Sequence, residues 1–169
     1  KNNACTEFCR GKVHSRMLAG AAKLRALSFW EILMKLKLGY QDLIANAMAV
    51  IETVPLSKAE LLLNDSNTLF VDIRDVRELE REGMIPGAFH APRGMLEFWV
   101  DPESPYFKPI FGEDKRFILY CASAWRSALA TKTLQDMGLP RVCHLGGGFS
   151  AWKQANLPVA EKSSKPSKS

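Results

Sequence analysis

Cys121 and Arg126 are the residues in this chain best placed to do chemistry together. Ala122, Ser123, Ala124 and Trp125 separate them, and Ser127 follows. A thiolate is a nucleophile, and arginine is a permanent cation with a planar fork of donors. Arg116-Phe117-Ile118-Leu119-Tyr120 precedes the pair with the length and composition of a buried parallel strand. Behind it, Ala130, Leu134 and Met137 recur at helical spacing across Ala128 to Met137. Gly138 stands where a helix C-terminus favours positive φ. The pattern predicts strand, tight loop and helix, with Cys121 as the first loop residue.

Amides in such a loop and in the first helical turn lack intrahelical partners, so they favour an anion. A thiolate is one. Cys121 is therefore expected to act as a nucleophile at neutral pH without a histidine base. A lone cysteine is more commonly a structural, half-buried residue. The strand–cysteine–loop–arginine–helix context favours reactivity here.

The rest of the sequence bounds what this thiol can serve. A chain of 169 residues, 47% hydrophobic and 24% charged, suits one globular domain with its own core. The net charge of +5 is concentrated partly in the ends. Residues 161–169 have the composition of a disordered basic tail. No stripe of basic and aromatic residues points to nucleic acid. The apolar run Leu43 to Ile51 is too short to span a bilayer, so no membrane insertion is expected. Four scattered cysteines are not a disulfide framework, and a reactive thiol suits a reducing, cytoplasmic setting. Cys5, Cys9 and His14 lack a fourth partner and a zinc-site spacing. Neither a metal nor another cofactor is called for.

Residues 1–38 read as a basic extension, poorly ordered or partly helical, with Glu7 and Glu31 as its acids. A targeting segment is the less simple alternative. The domain is placed at residues 39–160. Within it, a helical stretch leads to the strand-like Ile51 to Val54, and Ser57 is expected to cap a helix over Lys58 to Leu63. Leu69 to Ile73 reads as a buried strand and Asp75 to Arg81 as a short helix ending at Gly83. Asp72 and Arg74 lie where that strand ends, the side on which open α/β sheets bind ligands. Ion pairing is their simpler role and support of the catalytic loop the alternative. A long connector follows, rich in proline and aromatics, and is either a lid or a packed loop. Arg93 within it is a candidate to face the site. Val142, Cys143 and Leu145 read as a core strand, with His144 too isolated to be a metal ligand. Gly146-Gly147-Gly148 is read as a sharp turn into a helix whose Trp152 fills the core.

Four stretches together resemble the rhodanese family of sulfurtransferases. Cys121 to Ser127 resembles its active-site loop. Phe70 to Glu80 resembles its aspartate–arginine motif, and Gly83-Met84-Ile85-Pro86-Gly87-Ala88 its Gly-His-Ile-Pro-Gly-Ala motif. Leu145 to Trp152 resembles its closing glycine turn. Met84 stands where many relatives carry histidine, and Ala124 where they usually carry glycine.

Alternating strands and helices predict an α/β domain. The resemblance implies a three-layer form of it, with a central, mostly parallel five-stranded sheet and helices on both faces. It also implies a persulfide on Cys121, within a loop of Ala122, Ser123, Ala124, Trp125, Arg126 and Ser127, and Arg126 assisting an anionic donor. The expected partners are a small-molecule sulfur donor, thiosulfate or an organic persulfide, and a thiol or cyanide acceptor. A protein thiol is a further acceptor class. Two rivals remain. A cysteine-dependent phosphatase or arsenate reductase places five residues between cysteine and arginine, whereas four intervene here. A non-catalytic binding module would have had no need of both Cys121 and Arg126.

Overall fold

A computed structural model of the chain describes residues 36–162. The strands are β1 (Thr53–Val54), β2 (Thr68–Asp72), β3 (Phe89–His90), β4 (Arg116–Tyr120) and β5 (Val142–Leu145). They form one sheet in the order β1-β5-β4-β2-β3, and every pairing is parallel. The helices are α1 (Tyr40–Met48), α2 (Leu56–Leu61), α3 (Val76–Glu82), α4 (Leu96–Val100), α5 (Trp125–Asp136) and α6 (Gly148–Gln154).

Strand β4 shows why its sequence is a continuous apolar run. Side chains alternate across a strand, and here both faces are covered. Phe117 and Leu119, followed by Cys121, enter a core with Leu96 and Val100 of α4 and Ala130 and Leu134 of α5. Ile118 and Tyr120 enter the opposite core with Ala59 of α2 and Phe149 and Trp152 of α6. Fully burying a large apolar side chain contributes about 2 kcal/mol, so each face alone holds several such anchors. Trp152 is one of them, and its indole N–H donates to the Pro158 carbonyl at 2.8 Å.

Local signals set most boundaries. Asp75 caps α3 by accepting from the Arg77 amide at 2.9 Å, and Glu78 closes the capping box on the Asp75 amide at 3.1 Å. Gly138, at φ 90°, ends the α5 segment as expected. Ser57 departs from expectation. Helix α2 begins at Leu56 with Pro55 as N-cap, so Ser57 lies inside the first turn and makes no cap bond. Proline's fixed φ starts the helix two residues earlier than the serine cap would.

The connector after β3 is packed rather than open. Leu96, Val100 and Phe111 are buried in it, and Phe111 meets Phe89 and Phe117 at ring separations of 5.8 and 5.4 Å. Beyond α6 the chain pairs back on itself, with Met84 and Ala160 exchanging two 2.8 Å backbone bonds. Among the described residues, no helix is long and apolar enough to cross a membrane. Cys5, Cys9, His14 and nearly all of the basic extension lie outside the described residues, as does the tail from 163 onward.

Candidate active site

Cys121 leaves the end of β4 and begins the loop into α5. Ala124 makes the reversal possible, with φ 68° and ψ −10° in the left-handed region. That conformation is costly for a residue with a Cβ. The amides of Ala122, Ser123 and Ala124 have no backbone acceptor among the described residues. They remain available to an anion at the loop. Cys121 itself is buried, and its Sγ lies 3.7 Å from Ser127 Oγ.

Helix α6 holds the loop from behind. The Phe149 amide donates to the Cys121 carbonyl at 2.8 Å, and the Ser150 amide to the Ala122 carbonyl at 2.9 Å. These are first-turn amides of α6, which have no partner in their own helix. Gly148 lets the two segments approach. A Cβ at Gly148 would sit 2.6 Å from the Cys121 carbonyl oxygen and 2.7 Å from that of Ala122. The glycine turn therefore serves the Cys121 loop as well as the helix carrying Trp152.

Arg126 is already partnered. Its Nη1 and Nη2 donate to Glu78 Oε2 and Oε1 at 2.7 and 2.8 Å. Hydrogen bonds from Arg126 hold the Glu78 carboxyl down at about 2. The Arg126 guanidinium is raised above its ordinary value, first by Glu78 and further by the nearby Cys121. Its charge thus reaches Cys121, while both arms of its fork are engaged by a carboxylate. The sequence reading, in which this fork faces an anionic donor, did not include Glu78.

Asp72 and Arg74 pair with each other. Arg74 Nε and Nη2 donate to the Asp72 carboxylate at 3.0 and 2.7 Å, and Nη2 also donates to the Gly83 carbonyl at 2.6 Å. Both side chains are fully buried. The guanidinium carbon stands 4.0 Å from the centre of the Phe149 ring, whose amide holds Cys121. The pair therefore braces α6 and the motif at Gly83. Arg93 forms a partly exposed pair with Glu97 at 2.5 Å, one turn along the connector.

Trp125 projects from the first turn of α5, 55% exposed. Its aromatic neighbour is Tyr40 of α1, 5.6 Å between ring centres. Trp99 of the connector packs against Phe89, with ring centres 6.1 Å apart. Four further residues belong to the site's surroundings without having been singled out for it: Glu78, Tyr40, Gly148 and His144. In sequence Glu78 is one charged residue of a short helix, and His144 one polar residue in an apolar strand. Among the described residues no group of acidic, histidine and cysteine side chains is arranged to hold a metal ion.

A parallel α/β sheet carrying a thiol at the head of a strand-to-helix loop defines a rhodanese-type domain. The chain belongs to the rhodanese-like domain family, which matches residues 56–155. A solved structure from Rhodopseudomonas palustris, described as a possible tyrosine phosphatase, is 52% identical with a TM-score of 0.73, covering 75% of this chain and 97% of that one. The Synechocystis protein slr1261 is 31% identical over 68% of this chain, which spans 59% of that protein's length. Human thiosulfate:glutathione sulfurtransferase is 27% identical over 62% of this chain and 96% of its own.

Proposed function

We propose that the domain is a sulfurtransferase working through a persulfide on Cys121. The observation that carries this reading is the short loop itself. Four residues separate Cys121 from Arg126, and the fork of Arg126 is closed by Glu78. Such a loop offers backbone amides around one sulfur atom rather than a cradle for a tetrahedral oxyanion.

In the first half-reaction the Cys121 thiolate attacks the terminal sulfur of a donor R–S–S⁻. The donor's S–S bond breaks, R–S⁻ leaves with the bonding electrons, and Cys121 carries the transferred sulfur as a persulfide. With thiosulfate the leaving group is sulfite. In the second, an acceptor thiolate attacks the outer sulfur, becomes a persulfide and returns Cys121 as thiolate. Cyanide in the same role leaves as thiocyanate. No net oxidation occurs, so no redox cofactor is required. The name of the human relative supports a low-molecular-weight thiol as acceptor.

The test is a donor panel of thiosulfate, mercaptopyruvate and glutathione persulfide, with the Cys121 adduct followed by mass spectrometry. One added sulfur on Cys121, lost on adding a thiol and absent in Cys121→Ser, is the expected result. Turnover by Cys121→Ser would overturn the mechanism. The description of the Rhodopseudomonas palustris relative keeps a phosphatase reading in view. Hydrolysis of an aryl phosphate without persulfide formation would favour it.

A further inference from the structure

Strand β5 carries one polar side chain inside an otherwise apolar and thiol-lined core. His144 is fully buried, and an imidazole in that position needs a partner at each ring nitrogen. It has both. Nε2 lies 2.9 Å from Thr53 Oγ1 on the edge strand β1, and Nδ1 lies 3.4 Å from Ser127 Oγ on α5. Ser127 Oγ is also 3.0 Å from the Ala124 carbonyl and 3.7 Å from Cys121 Sγ. A line of polar contacts therefore runs from exposed Thr53 to the buried thiol.

We propose that His144 is a positioning residue for Cys121, acting through Ser127, with Thr53 setting its orientation from the sheet edge. The proposal rests on the reading of Cys121 as the nucleophile and goes on to say how its charge is met.

The reasoning turns on one proton. The Ser127 hydroxyl has a single hydrogen and two lone pairs. If Nδ1 of His144 bears the ring proton, it donates to Ser127 Oγ. The hydroxyl hydrogen is then left for the Ala124 carbonyl or for the sulfur. If Nε2 bears it, Nδ1 takes the hydroxyl hydrogen, and the sulfur receives nothing. Thr53 favours the first arrangement, because its exposed hydroxyl can donate to Nε2 while its own lone pairs face solvent. Burial lowers the tendency of His144 to protonate, so the ring stays neutral with one donor and one acceptor. When Cys121 is a thiol, its S–H points to Ser127 Oγ and the hydroxyl to Ala124. When the thiolate forms, the hydroxyl turns from Ala124 to the sulfur. The charged groups beside this line are already paired: Arg126 with Glu78, and Glu52 with Arg116.

The experiment measures Cys121 alkylation by iodoacetamide, with thiolate absorbance followed against pH. Neither requires a sulfur donor. A hydrogen bond to a charged acceptor is worth enough that its loss should slow alkylation at neutral pH about tenfold in Ser127→Ala and in His144→Leu. His144→Asn keeps an N–H near the Nδ1 position and should recover most of the rate. Thr53→Val removes the outer hydroxyl at an exposed position and keeps the side-chain shape. It should slow alkylation about threefold, and Thr53→Ser should restore it. Folded Thr53→Val with wild-type alkylation and thiolate titration overturns the proposal, whether or not His144→Leu folds. If these effects appear while the wild type forms no persulfide, the positioning role stands and sulfur transfer falls.

Discussion

Glu78 of α3 and Arg126 of α5 meet in a two-pronged ion pair, at 2.7 and 2.8 Å, across 48 residues of sequence. The pair holds the α5 end of the loop against α3, and it lowers the pull of Arg126 on an incoming anion. Glu78→Gln should therefore act in opposite directions on stability and on anion use. Arg126 is 43% exposed, so solvent screening limits the stabilisation to about 1 kcal/mol. The Glu78 carboxyl titrates at about 2 in the folded protein against an ordinary 4.5. A depressed carboxyl stabilises the fold above its unfolded value, and that contribution disappears as pH falls from 4.5 towards 2. Urea unfolding should show Glu78→Gln weaker at neutral pH, with the difference vanishing in that acid window. With its fork released, Arg126 should raise kcat/KM for thiosulfate about threefold. Unchanged thiosulfate kinetics in a folded variant would mean that Arg126 does not reach the donor.

Ala124 and Gly148 both take positive φ, at 68° and 63°, yet exchange of side chains should have opposite effects. Ala124→Gly removes a strained Cβ and should stabilise the domain by about 1 kcal/mol, seen as a rise in Tm. Gly148→Ala adds a Cβ between backbone atoms that cannot swing aside: two carbonyl oxygens of the loop and the Ala124 nitrogen at 2.8 Å. It should destabilise by about 3 kcal/mol and displace the Cys121 loop. A Gly148→Ala protein with wild-type Tm and persulfide formation would show that α6 does not hold the loop.

The Asp72–Arg74 pair is a structural commitment. Removing one partner of a buried pair leaves the other charge without compensation, at a cost of about 3 kcal/mol or more. Asp72→Asn should lower stability by that amount. The replacement of both residues by apolar ones of similar volume should restore part of it. If Asp72→Asn melts like the wild type but loses sulfur transfer, the pair acts on the chemistry rather than on the fold.

Sheet, loop and helix were legible because each depends on neighbours in sequence. Both faces of β4 are buried, so its five residues read as one apolar run. Ala124 was legible only as an alanine where the resembling family usually carries glycine, and its φ of 68° gives the physical reason. What could not be read depends on the sheet order. Cys121 directly follows β4 and His144 lies on the adjacent β5, but their link runs through Ser127, and no periodicity marks it. Glu78 carries the spacing of a capping-box residue and fulfils that role; its second partner comes from another helix. Ser57 failed as a cap because Pro55, two residues earlier, already supplied the conformation that starts a helix.

Tyr40 and Trp125 supply the last prediction, which concerns the donor. Their rings, both more than half exposed, lie 5.6 Å apart beside the thiol loop. An aromatic pair offers contact area to an organic group and little to a small dianion, which is better served by clustered cations. The only cation of the loop is Arg126, and Glu78 occupies it. The wild type should therefore use a thiol-borne persulfide in preference to thiosulfate. Trp125→Arg puts a second cation at the loop without disturbing the core, and should raise kcat/KM for thiosulfate about tenfold while Tm moves little. Tyr40→Ala should leave thiosulfate kinetics unchanged and raise KM for an organic persulfide about threefold, the effect of losing roughly 0.7 kcal/mol of aromatic contact. Competition between the two donors, read from the leaving groups sulfite and thiol, measures the preference directly. If the wild type prefers thiosulfate and neither substitution shifts that preference, the two rings only pack α1 against α5, and the donor is selected elsewhere.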